Sequence, residues 1–308
     1  MFINCPKIQN SQKGNALVVI LVVILIFIIG LGAALGFYYT KTKSELAQLS
    51  EKQVKELKKI NAVVEDAIDL NKNLDMDSET NSHVLGVSVN SEGEVKGLED
   101  TDLIRDARKE KQLYSAAKES LGVVKKQNDE AKKLANKIRL KNTPILDTEK
   151  YVSEAEPLFN YLQQGSQLGI ELVTQGVELG SLIQNAILRG ADETSVRQYS
   201  EALESLSLVK EQLANMDISQ LPQDMQEEHT SAIETFDKDL EVFYEIETAL
   251  KEKNGQKLEA AIQSMVLSSA TGMETSTTIF ISFLEDNTTM QRANSLSKEW
   301  QTFADDLK

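Results

Sequence analysis

The hydrophobic positions follow two regimes along the chain. From Ala16 to Tyr39 it reads ALVVILVVILIFIIGLGAALGFYY, with no charged residue between Lys13 and Lys41; beyond that point apolar residues recur three and four apart among polar ones. As a helix rising about 1.5 Å per residue, the first stretch reaches roughly 36 Å, more than a hydrocarbon core of about 30 Å. A helix also pairs its own backbone polar groups, as a bilayer requires. Tyr38 and Tyr39 close the run where an aromatic belt would lie, and Lys41 and Lys43 follow at headgroup level. Residues 16–39 are therefore expected to be a transmembrane anchor contacting the lipid bilayer, with residues 1–15 as a short cytoplasmic tail and the acidic remainder outside. A cleaved signal peptide is the competing expectation, since Ala16 to Ile29 has the length of a signal core and Gly32 and Ala34 are small residues suited to a cut. Leu35, Phe37, Tyr38 and Tyr39 keep the run apolar past that point, which favours retention. Gly32 and Gly36 form a GxxxG pattern, a candidate face for association of two membrane helices.

After Thr40 the pattern predicts a helix continuing to Leu74, with Leu46, Leu57, Ile60, Val64, Ala67 and Leu74 near heptad spacing. Ser50, Gln53 and Asn71 interrupt that seam. Residues 75–97 break the period and predict a loop, with Val84, Val87 and Val89 as material for a small hairpin. A second helix is predicted from about Asp102 to Lys141, long enough to run back along the first as an antiparallel hairpin. Asn142, Thr143 and Pro144 end it and mark the expected domain boundary. The organisation expected is a helical stalk or hairpin over 40–143, then an α-helical bundle over 144–308. Within the bundle Asp147 or Thr148 is expected to cap a helix that Pro157 kinks or restarts, and Asp192 or Thr194 to cap the next. Asn254 and Gly255 are expected to stop the helix carrying His229, and Trp300 and Phe303 to dock the last one. The fold class expected is all-α.

The segment from Gly165 to Arg189 has a feature that propensity does not explain. Gly165, Gly169, Gly176 and Gly180 fall in one arc of the helix beside Leu168, Leu172, Leu179, Ile183 and Ile187. Each glycine inside a helix costs about 0.5–1 kcal/mol relative to alanine, so close approach of another helix is expected there. A shallow ligand groove lined by bare backbone is the functional alternative.

Charge changes the picture in one place. The 308 residues carry a net −15, which argues against nucleic acid as a partner. The end of the second helix is basic nonetheless, through Lys125, Lys126, Lys132, Lys133, Lys137, Arg139 and Lys141. Lys132, Lys133, Lys137, Arg139 and Lys141 are a candidate contact with an anionic surface, because a returning helix would bring them toward the membrane. The competing account is that they offset acidic neighbours in the same protein, as charge runs usually do.

Candidate chemistry is sparse. Cys5 is the one cysteine, so no intrachain disulfide forms. His83 and His229 are the two histidines, and Gln226 stands three before His229 where a di-iron Glu-x-x-His motif needs a ligand. No phosphate-binding loop, HExxH or nucleophile motif is present. The sequence thus predicts no enzyme, no cofactor and no metal site. It predicts a single-pass, membrane-anchored extracytoplasmic protein that binds or scaffolds, partnering itself or another envelope protein through helical faces. A secreted bundle that binds a small or anionic ligand is the alternative.

Overall fold

The apolar stretch and the heptad-spaced segment after it form a single unbroken helix, α1 (Gln12–Met76), of 65 residues. A small antiparallel sheet follows, β1 (Ser82–Val84), β2 (Val87–Val89) and β3 (Val95–Gly97), in spatial order β1-β2-β3. Val84 pairs with Val87, and Val89 with Val95. Then come α2 (Asp102–Lys137), α3 (Ile145–Arg189), α4 (Glu193–Ala214), α5 (Gln223–Lys251), α6 over residues 255–264, and α7 (Thr289–Asp306). This computed structural model describes residues 12–76, 82–84, 87–89, 95–97, 102–264 and 289–308; within α1 it describes side chains over 31–70, Gly32 and Ala34 excepted. The fold is all-α but for the sheet, which replaces the loop expected at 75–97 and rests against α3.

The helices build two cores that share α3. Leu46, Leu57, Ile60 and Val64 of α1 meet Tyr114, Leu121 and Val124 of α2, Tyr151 and Phe159 of α3, and Leu296 and Trp300 of α7. Leu179 and Ile183, farther along α3, meet Tyr199, Leu203 and Leu206 of α4, Phe243 and Ile246 of α5, and Ile262 of α6. The division between the two cores falls inside α3, between Leu162 and Leu168. In the described part of residues 40–143, α1 and α2 pair as a hairpin, and α3 and α7 cover its apolar seam to complete a four-helix bundle.

Side-chain contacts fix the directions. Gln53 Nε2 donates to the Val124 carbonyl at 3.2 Å, setting α1 and α2 antiparallel. Trp300 Nε1 donates to Thr148 Oγ1 at 2.8 Å, and Arg292 pairs with Glu154, so α7 descends along α3. The polar residues that interrupt the α1 seam are placed by the backbone: buried Ser50 donates to the Leu46 carbonyl at 2.8 Å, and Gln53 reaches across to α2 as above.

Three local expectations are corrected. α3 continues through Pro157 without a restart, with Ala155, Leu158, Phe159 and Leu162 buried around it. A helix-interior proline costs about 3 kcal/mol, and burying large apolar side chains returns about 1.5–3 kcal/mol each, which outweighs it. α3 starts at Ile145 without a side-chain cap, and Thr148 Oγ donates instead to the Pro144 carbonyl at 2.8 Å. At the end of α5 the left-handed residue is Lys253, φ 53°, whereas Asn254 caps α6 by accepting from the Lys257 amide at 3.2 Å. Asp192 does cap α4, accepting from the Ser195 amide at 2.7 Å, and its carboxyl lies below the usual range through that bond.

Candidate functional site

α2 carries lysines at heptad intervals, Lys111, Lys118, Lys125 and Lys132, and α3 opposes each with an acceptor. Lys132 Nζ meets Glu149 at 2.7 Å, Lys125 meets Glu156 at 2.7 Å, and Lys118 meets Gln163 Oε1 at 2.9 Å. Lys111 donates to Gln167. A seven-residue repeat returns nearly to the same helical face, so two antiparallel helices present the two rows to each other. The hydrogen bonds to Glu156 and Glu149 raise the ammonium pKa of Lys125 and Lys132. Lys132, one of the candidate anionic-surface contacts, is thus paired within the protein by an exposed ion pair.

Lys133, Lys137, Arg139 and Lys141 are different. All four are exposed, and none has an ion-pair partner among the described residues. They surround the α2–α3 turn, where the Leu140 amide reaches back to the Ala135 carbonyl at 3.0 Å and Arg139 adopts φ 54°. That is the helix-ending arrangement in which glycine is favoured at the left-handed position. Asn142 is left-handed too, φ 58°. Ile138 and Leu140 pack against the first core, which holds the turn down, while Leu146 in the first turn of α3 is 70% exposed.

The same end of the bundle holds the emergence of α1. Leu31, Leu35, Phe37, Tyr38 and Tyr39 are exposed, Phe37 to 73%, whereas Thr42 is 4% exposed and Leu46 fully buried. The bare apolar surface thus stops within one turn of where the bundle starts. Among the described residues no helix is long and apolar enough to cross a membrane; the side chains of residues 16–30 lie outside the described set. Gly32 lies outside it as well, and a β-carbon at Gly36 would have nothing within 4 Å.

The four glycines of α3 separate into pairs. Gly176 and Gly180 are buried beside Leu179 and Ile183 in the second core. Gly165 and Gly169 sit at the junction of the cores, and a β-carbon at either would meet nothing within 4 Å, so no helix among the described residues approaches closely there. An open cleft nearby is lined by Gln163, Gln164, Gln167, Leu168, Lys111, Gln212 and Met216, side chains rather than the bare backbone that a glycine groove would offer.

Groups with shifted protonation are scattered. His229 is 3% exposed and joins α5 to α3 through Tyr161, whose hydroxyl lies 3.0 Å from its Nδ1. Burial lowers the imidazole pKa and raises the Tyr161 phenol to about 12. Burial also pushes Asp239 up to about 6. Among the described residues no three His, Cys, Asp or Glu side chains group as a metal site. Sequence reasoning missed the lysine ladder, although its seven-residue spacing was the signal that would have found it.

A family model described as Orf76 (Ac76) matches residues 6–76, the apolar stretch together with the rest of α1. The match takes in less than a quarter of the chain. No curated protein and no solved structure matches it.

Proposed function

We propose that this is a single-pass membrane protein: residues 16–39 cross the bilayer, the amino-terminal tail faces the cytoplasm, and the helical bundle stands outside as a binding or scaffolding module without catalysis. The observation that carries this reading is the change of surface along α1. One helix passes from bare Leu35, Phe37, Tyr38 and Tyr39 to fully covered Leu46. Apolar side chains left uncovered directly beside a packed bundle are the expected flank of a membrane segment, with the tyrosines at the interface.

Intact mass of the chain from a membrane fraction, together with protease treatment of intact cells, tests the reading. A full-length mass with the bundle digested from outside supports it. A chain beginning near Leu35 in the soluble fraction supports the secreted alternative, and protection of the bundle from protease refutes the orientation. Removing residues 1–39 is expected to release the protein from membranes without changing its melting temperature, because core contacts begin at Thr42.

A further inference from the structure

We infer that the membrane-facing end of the first bundle, built from the α2–α3 turn, docks on acidic phospholipid headgroups. The inference rests on reading residues 16–39 as the membrane segment, and adds to it a second contact made by the folded domain.

Position comes first. The Gln53–Val124 hydrogen bond sets the α1–α2 register, and Lys137 lies thirteen residues beyond Val124 on an antiparallel helix. At about 1.5 Å per residue this brings Lys137 level with Thr40, just past the tyrosines that close the apolar stretch. Lys41 and Lys43 lie at the same height on α1. The carboxy-terminal end of α7 reaches this end of the bundle too, because Trp300 meets Thr148 in the first turn of α3 and α7 runs antiparallel to it; Asp305 there is paired with Lys308 at 3.2 Å, and Lys308 also meets Glu51 at 3.0 Å. Asp147, Asp305, Asp306 and Glu45 are the acids near this level; Glu45 already faces Lys41 at 4.0 Å and Asp305 faces Lys308 at 3.2 Å.

Chemistry comes second. On the face of α2 turned to α3, Lys111, Lys118, Lys125 and Lys132 are each matched by an acceptor, whereas Lys126 and Lys133 lie off that face and the row ends with the helix itself. Lys133, Lys137, Arg139 and Lys141 have no ion-pair partner among the described residues. Arg139 occupies a left-handed position, φ 54°, that glycine would fill with less strain. Leu146 stands among these charges, 70% exposed, at the height where an apolar side chain enters the headgroup boundary. Unmatched cations around an exposed leucine complement an acidic bilayer surface.

The test uses the full chain carrying Cys5→Ser and Leu146→Cys, labelled at 146 with a fluorophore. It is reconstituted in phosphatidylcholine vesicles with or without phosphatidylglycerol, a spin-labelled headgroup lipid serving as quencher. Each cation near an acidic surface strengthens association by roughly fivefold. Quenching is therefore expected to rise severalfold with phosphatidylglycerol, to fall in high salt, and to return to the neutral-lipid value in Lys133→Glu/Lys137→Glu/Lys141→Glu. Arg139→Gly separates docking from folding: it should raise the melting temperature while lowering the quenching. Equal quenching in both vesicles, unmoved by salt or charge reversal, overturns the inference and leaves the anchor standing. Failure of the chain to float with either vesicle overturns the anchor and this inference with it. Retention on a soluble polyanion without any response to phosphatidylglycerol also overturns it, in favour of a polymer ligand.

Discussion

Replacing Thr148 with valine tests how α7 closes the first bundle. The Trp300 indole is fully buried, and its N–H has Thr148 Oγ1 as acceptor at 2.8 Å. Valine keeps the shape and removes that acceptor, leaving a buried donor without a partner, at a cost of about 1–3 kcal/mol. The Pro144 carbonyl loses the threonine hydroxyl but keeps the Thr148 amide at 3.0 Å, so no second group is orphaned. Trp300 is the sole tryptophan, and its emission reports this core alone. With a urea slope of about 1–3 kcal/mol per M, the midpoint should fall by about 1 M. Trp300→Phe removes the donor instead; with circular dichroism as the probe, the double variant should recover about 1 kcal/mol relative to the sum of the singles. An unchanged midpoint in Thr148→Val, or native emission at the wavelength of water-exposed indole, would refute the placement of α7.

Gly169→Ala should stabilise the chain by about 0.5–1 kcal/mol, because the new methyl meets nothing and the unfolded chain loses freedom. Gly180→Leu should lower the melting temperature by several degrees, since that position is buried in the second core. Burial holds the His229 imidazole below its ordinary 6.5, so stability from this site is complete above that pH and is lost as the pH falls below it; His229→Gln should flatten that slope. Burial raises Asp239 from 3.8 to about 6, so its ionisation opposes folding as the pH rises through that window, and Asp239→Asn should raise the melting temperature at neutral pH. Lys125→Ala and Lys132→Ala should leave the melting temperature within error, because both ion pairs are exposed and screened.

Helix positions, the α1–α2 hairpin, the Asp192 cap and the docking of α7 through Trp300 and Phe303 were legible in the sequence, because each depends on local pattern. What a helix packs against was not. The period of α3 is continuous from Ile145 to Arg189, so nothing in it announces that its partners change between Leu162 and Leu168. Gly165, Gly169, Gly176 and Gly180 look alike on a helical projection, yet the first two lie at that change of partners and the last two inside a core. The lysine row of α2 reads as a solvated face until the acceptor row on α3 is brought opposite, which only the tertiary register does. The third strand, Val95–Gly97, is too short for its own periodicity to register.

The continuity of α1 links the apolar stretch to the bundle. Between Phe37 and Met76 the helix contains neither glycine nor proline, the residues at which helices most readily hinge. If residues 16–39 cross a bilayer as proposed, this one helix sets which end of the bundle faces it, and the α2–α3 turn is held at that end by the same register that buries Thr42 and Leu46. A flexible linker at residues 40–41 would leave both cores intact and free the bundle to turn. If headgroup contact is a property of the turn's charges, quenching at position 146 should survive the linker in acidic vesicles and vanish in neutral ones. If contact is imposed by the rigid helix alone, the linker should abolish it in both.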